Sequence, residues 1–301
     1  MPKKITNNNK SVAKANSCVE LVDWPKLTKK NLYPRVVALQ TTRLNLLTDK
    51  NCLTDRINEF SAIEKPHSHF SDFNLGLHVG DNQANVNSNR LRLSQYLTHK
   101  IHENKLNEEK LTAAESTAIN IQWLNQVHGN KVVTVNDVTS EVITADASIT
   151  QQKHVALAIM TADCLPILLS HRHGDEVAAI HGGWRSLESG IIQSTLSKMH
   201  SKVTDVIAWL GPCIGREAFE VGAEVRAAFT RTDKQLAEGF TKQPNGKYLA
   251  DLYFIATHQL RLLGVHNISS LPECTFQNEK KYYSYRRNAT TGRMASIICR
   301  Y

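Results

Sequence analysis

The chain has 301 residues, 41% of them hydrophobic, enough for one large domain or two small ones. No apolar run approaches the roughly 18–20 residues that cross a bilayer, which argues against a membrane-spanning chain. The 36 basic and 28 acidic residues, net charge +8, are scattered, without the aromatic-interleaved basic stripe of a nucleic-acid binder, so nucleic acid is not expected while small anionic substrates such as phosphates remain compatible.

Met1 to Asn16 is basic and Asn-rich and lacks the apolar h-region of a secretory signal. Residues 1–34 read as an N-terminal tail, poorly ordered at least to about residue 20, and 35–301 as a single domain. The cysteines at 18, 52, 164, 213, 274 and 299 form no CxxC pair and are irregularly spaced. That argues against a disulfide framework and a zinc ribbon, and for a reducing, cytoplasmic compartment. Cys18, Cys52, Cys274 and Cys299 read as plain thiols.

Residues 35–42 predict a strand from their β-branched content. About 44–70 is long, polar and aperiodic, an insertion loop. Residues 72–81 are glycine-punctuated and irregular. Val86, Leu91, Leu93 and Tyr96 predict an amphipathic helix over 82–96, with another around 107–117. Short apolar runs at 120–127, 131–135, 145–150, 155–160, 165–170 and 176–181 predict strands. A helix is expected after Trp184, capped by Ser186, with Glu188 in its first turn and Ile191, Ile192, Leu196 and Met199 on its buried face. Residues 205–210 read as a strand, 220–230 and 250–263 as helices, the second stopped by Gly264. Tyr282 to Arg300 reads as loop and closing strand. Many consecutive strands followed by helices predict an α/β or α+β chain with mixed sheets.

Three segments each place one metal-ligand type beside turn-forming residues: Gln126-Val127-His128-Gly129, Thr161-Ala162-Asp163-Cys164-Leu165-Pro166 and His181-Gly182-Gly183-Trp184-Arg185. His128, Cys164 and His181 lie too far apart in sequence for a single-loop zinc finger, but each follows an apolar run, as ligands delivered from separate strand ends do. Two imidazoles and one thiolate match the three protein ligands of a catalytic zinc. They also match a blue-copper centre, which needs a weak axial Met. Met160 is four positions from Cys164, about 13 Å along an extended strand. Zinc is therefore expected over copper, with a bound water of lowered pKa.

Other readings stay open. Cys164 can be a nucleophile paired with a histidine, with Asp163 orienting the imidazole or serving as a turn carboxylate. His181-Gly182-Gly183 before a helix suits an anion, which Arg185 can grip. Gly211-Pro212-Cys213-Ile214-Gly215 reads as a rigid turn over a cleft, and Tyr282 to Arg287 as an aromatic-basic cluster able to stack a base or hold an anion. The H-x-E and P-C-x-x-C signatures of zinc nucleobase deaminases are absent.

These segments occur together with Phe73-Asn74-Leu75-Gly76-Leu77-His78-Val79-Gly80-Asp81, Ala145-Asp146-Ala147, Trp209-Leu210-Gly211-Pro212, Phe219-Glu220-Val221-Gly222 and Ser284-Tyr285-Arg286-Arg287. The string resembles the YfiH family, also called the multicopper polyphenol oxidase or laccase-domain family, over about residues 35–301. The resemblance implies an α/β/β/α layered domain and a zinc on His128, Cys164 and His181. It places Arg43, Asn74 and His78 at the substrate pocket; with the residue readings above, the catalytic group is Cys164, His128, His181 and Asp163, and Arg185 joins the substrate-binding residues. The activity implied is phosphorolysis of adenosine, inosine, guanosine or methylthioadenosine, with adenosine deamination also attributed to the family. Two alternatives are removal of serine from a muramyl precursor by an amide hydrolase, and a copper polyphenol oxidase. The chain departs from the family pattern at Gly182, Ser186 and the 44–70 segment, which bears on the loop around Arg43.

Overall fold

The computed structural model describes residues 19–25, 35–44, 69–108 and 118–301. The tail up to residue 18, most of the expected insertion and the expected helix beyond residue 108 lie outside these. In chain order the elements are β1 (Val19–Leu21), β2 (Val36–Thr41), α1 (Gln83–Glu108), β3 (Asn120–Gln122), β4 (Leu124–Asn125), β5 (Val132–Thr134), β6 (Ile143–Thr144) and β7 (Ala147–Thr150). There follow β8 (Val155–Thr161), β9 (Leu165–His171), β10 (Val177–Gly182), α2 (Trp184–Glu188), α3 (Ile191–Lys198), β11 (Val206–Leu210) and β12 (Glu220–Val221). The last are α4 (Ala223–Thr232), β13 (Phe240–Lys242), β14 (Tyr248–Ala250), α5 (Leu252–Leu262), β15 (Asn267–Ser270) and β16 (Met294–Arg300).

Two sheets stack face to face. One runs β1-β2-β16-β8-β3 and the other β15-β11-β9-β10-β7-β5. Each central strand is covered on both faces, so its residues are buried without a break: β8 reads Val-Ala-Leu-Ala-Ile-Met-Thr, all buried. The period-2 geometry of a strand still sorts them. Leu157 and Ile159 of β8 meet Leu168 of β9, Ala179 of β10 and Trp209 of β11 between the sheets. Ala156 and Ala158 point outward to Leu93, Leu97 and Ile101 of α1. On the far side, Ile167 and Leu169 of β9 and Ile180 of β10 pack on Ile192, Leu196, Phe229 and Leu260 of α3, α4 and α5. The result is a mixed α/β fold with helix, sheet, sheet and helix layers, as expected.

Several local expectations need correction. Residues 19–21 are strand rather than tail: β1 pairs antiparallel with β2, and Val19 is buried in the core. The first long helix starts where expected, with the Asn82 Oδ1 accepting from the Ala84 and Asn85 amides, but it runs on to Glu108. Leu91, expected on its buried face, is exposed, while Leu97 and Ile101 complete that face. Ser186 caps nothing. The Gly182-Gly183 turn lets α2 begin at Trp184 with Gly183 as its N-cap, so Ser186 is buried mid-helix and Glu188 is the last residue. Gly190, in the left-handed region at φ 83°, then separates α2 from α3.

A candidate metal centre at the end of the sheets

The β7, β10 and β9 neighbours build the site by register. Ile180 pairs with Ala147 and Gly182 with Leu165. One step further along each antiparallel pairing sets His181 beside Asp146, and Gly183 beside Cys164. The contacts bear this out. His181 donates its backbone N–H to the Asp146 carbonyl at 2.7 Å, and its Nδ1 lies 2.8 Å from the Asp146 Oδ1. Cys164 sits where the chain passes from β8 in one sheet to β9 in the other.

His128 arrives from the turn after β4 with a φ of 62°, a conformation few non-glycine residues adopt. Asp146 holds it there. Its Oδ1 accepts the His128 amide at 2.8 Å, and its Oδ2 accepts the Gly129 amide at 2.7 Å. One buried carboxylate thus fixes the backbone of one imidazole and the ring of the other. The two rings stand edge to face, centroids 4.6 Å apart. His128, Cys164 and His181 each present a donor atom, and the three lie within 4.8 Å of one another.

These donors suit a metal ion. The His181 Nδ1 engages Asp146, which leaves Nε2 for coordination in the carboxylate–histidine arrangement common around zinc. The His128 Nε2 lies 3.7 Å from the Cys164 Sγ. A Cβ on Gly183 would stand 2.9 Å from the His128 Cδ2 and 3.2 Å from the Cys164 Sγ, so only glycine leaves the donors clear. Electrostatics agree. Burial would push the Cys164 thiol up, but the His181 charge and hydrogen bonds from His128 and His181 bring it down to about 6, a thiolate at neutral pH. Burial would lower His181, but the Cys164 thiolate and Asp146 raise it to about 9. Asp146 is held below the usual carboxylate range, against the effect of burial, by His181 and the Gly129 and His128 amides.

Asp163 does not orient an imidazole. Its carboxylate accepts the Thr275 hydroxyl and the Arg286 amide, each at 2.7 Å, and its φ of 105° turns the chain into Cys164. The carboxylate that does meet an imidazole is Asp146. Its motif was visible in sequence, but its partners became apparent only through the strand pairing.

The trio opens on a cavity of about 1330 Å3. Of the expected substrate-binding residues, His78 and Arg185 line it. Arg43 and Asn74 do not. The Arg43 guanidinium donates to the Ser71 hydroxyl and the Glu279 carbonyl and lies over the Tyr283 ring. Asn74 is buried and binds the amides of Gly76 and Arg293, bracing the loop that carries His78. Two arginines not singled out from the sequence, Arg90 and Arg293, stand in the wall beside Arg286 of the aromatic-basic cluster. Arg90 stacks 4.1 Å over Trp123 and donates to the Leu75 carbonyl. Burial lowers Arg90 to about 10 and also lowers Arg293. Burial, with the Arg293 and Arg90 charges, lowers His78. Tyr285 presents an exposed ring at the rim and Ile214 lines the wall, so the turn at 211–215 does face the cleft.

A layered α/β domain with a His-Cys-His cluster at the sheet ends defines the class. Residues 51–301 match the family model described as multi-copper polyphenol oxidoreductase laccase, and the chain belongs to that family. It is 42% identical over 229 residues to a protein of Shigella flexneri named purine nucleoside phosphorylase YfiH, covering 76% of this chain and 86% of that one. The Pseudomonas aeruginosa protein named purine nucleoside phosphorylase PA4543 is 40% identical over 230 residues, with the same coverage. Among solved structures, Neisseria meningitidis protein NMB0706 matches with a TM-score of 0.76 and 33% identity, over 94% of this chain and 99% of that one.

Proposed function

We propose that this protein is a zinc-dependent purine nucleoside phosphorylase. It would split adenosine, inosine, guanosine or methylthioadenosine with phosphate into free base and sugar 1-phosphate. The observation that carries this reading is the cavity itself: the His128, Cys164 and His181 donors open onto a wall bearing His78, Arg90 and Arg293. Two guanidinium groups, Arg90 and Arg293, in the wall of the same cavity favour a multivalent anion, and arginine matches phosphate bidentately. The names of the relatives point the same way.

His128, Cys164 and His181 would hold the zinc, with Asp146 fixing both imidazoles. When bound, the ion supplies Lewis acidity or a water of lowered pKa. The chain's own part is positioning. Arg90 and Arg293 bind the phosphate oxygens, and His78, whose neutral form burial and the two arginines favour, can take up a proton from the anion. The Tyr285 ring offers a face for the purine. Zinc is favoured over copper because the Met160 sulfur, the nearest thioether in sequence, lies 3.6 Å from the Arg90 Nη2. Adenosine deamination at the same site and a cytoplasmic location belong to this reading. Small molecules rather than nucleic acid or membrane are the partners it implies. Among the described residues no helix is long and apolar enough to cross a membrane.

The test is incubation of zinc-loaded protein with adenosine, with and without phosphate. Adenine and ribose 1-phosphate should form only with phosphate. Adenine with free ribose, or no product, refutes the reading. The cavity volume favours one second reading, because it exceeds the range of about 300–1,000 Å3 usual for small-ligand sites. A larger substrate such as the muramyl precursor would use that space, and release of serine from UDP-MurNAc–L-Ser without nucleoside turnover would establish it.

A further inference from the structure

Cys213 and Cys274 lie side by side on neighbouring segments outside the metal cluster. They are partners in an isolated parallel β-bridge, with the Thr275 amide donating to the Cys213 carbonyl at 2.9 Å. Bridge partners stand about 4.8 Å apart, inside the Cα separation of about 4.4–6.8 Å that a disulfide spans. A second contact brings the Cys274 side chain against Gly215, two residues from Cys213. A Cβ on Gly215 would meet the Cys274 Cβ and Sγ, both at 3.1 Å. The missing side chain leaves room for the sulfur.

The two thiols differ. Cys274 is partly accessible, and its Sγ accepts the Gly215 amide at 3.1 Å and the Gln277 amide at 3.4 Å. Cys213 is buried, and burial pushes its thiol up. We propose that Cys213 and Cys274 form a reversible disulfide in the presence of hydrogen peroxide, a modification site that acts on the loop carrying Cys164.

In the first step the Cys274 thiolate attacks the peroxide. The O–O bond breaks, sulfur is oxidised to a sulfenic acid, and the leaving hydroxide takes a proton to become water. The Cys213 sulfur then attacks that sulfenic sulfur, the S–S bond forms, and hydroxide leaves with the Cys213 proton as a second water. A thiol reductant reverses the bond by exchange.

The consequence reaches the site through Asp163. Ile214, next to Cys213, donates its amide to the Asp163 carbonyl at 2.8 Å, and Thr275, next to Cys274, donates its hydroxyl to the Asp163 carboxylate at 2.7 Å. Cross-linking the two cysteines therefore ties together two of the residues that hold the turn before Cys164.

Peptide mapping after graded hydrogen peroxide treatment and alkylation tests this. The expected result is a cross-linked peptide pair carrying Cys213 and Cys274, abolished by dithiothreitol and by Cys274→Ser. The oxidised wild type should also unfold at a higher urea concentration than the reduced protein, a gain absent in Cys274→Ser. Recovery of both cysteines alkylated, at peroxide levels that oxidise Cys164, overturns the proposal, as does cross-linking of either to another cysteine.

Discussion

Both oxygens of Asp146 are occupied, one by the His181 ring and the His128 amide, the other by the Gly129 amide. Replacing Asp146 with Asn removes the charge while keeping the size. Metal affinity should fall by about 10–100-fold, the usual effect of losing such an outer partner, read by competition with a chromophoric chelator. Unchanged affinity would show that the imidazoles hold their places without it. Gly183 makes a sharper test. Its φ of −63° suits alanine, so Gly183→Ala should fold, yet its Cβ would crowd His128 and Cys164. The expected outcome is lost metal binding with an unchanged near-UV circular dichroism spectrum. The three ligands were legible in sequence because each ends an apolar run beside Gly or Pro. Asp146 was not, because a carboxylate declares itself an orienting group only when a strand from elsewhere brings it a histidine.

Strands and their order of appearance were legible for the same reason: residues of β8, β9 and β10 are apolar on both faces, which only a doubly covered sheet explains. Leu157 is fully buried between the sheets, so Leu157→Ala should cost about 2–5 kcal/mol in urea denaturation. What failed at this scale was the start of α2, where a serine suited to capping lay two residues inside a helix that glycine had already begun. Helix α3 ends on a buried acid instead. Glu176 accepts the His200 and Ser201 amides and the Ser201 hydroxyl. Burial would raise this carboxyl, but those donors hold it below the ordinary glutamate range. Its stabilisation is therefore complete above about pH 4.3, the usual unfolded value, and is lost as pH falls through the lower folded value. Glu176→Gln should cost about 1–3 kcal/mol near neutral pH, with metal binding intact. Its urea midpoint should also fall less steeply than the wild type's below that pH, and parallel curves would contradict this account.

The cavity is assembled from distant parts of the chain: α1 contributes Arg90, the segment before it His78, and the loop before β16 Arg293 and Tyr285. No local pattern marks these as one wall, and Arg43 was a candidate only through the family resemblance. The structure spends Arg43 on Ser71, Glu279 and Tyr283. Accordingly, Arg90→Gln should raise the phosphate KM about 10-fold or more, the loss of one charge-assisted hydrogen bond of about 1.5–3 kcal/mol, whereas Arg43→Gln should leave it near the wild-type value. Equal effects from the two variants would place the anion elsewhere. If the metal cluster and this wall serve one reaction, zinc titration of metal-stripped protein shows it most directly. Phosphate-dependent formation of adenine and ribose 1-phosphate from adenosine should rise with added zinc and level off at one ion per chain. Full activity in the stripped protein, or a rise that only copper produces, would contradict it.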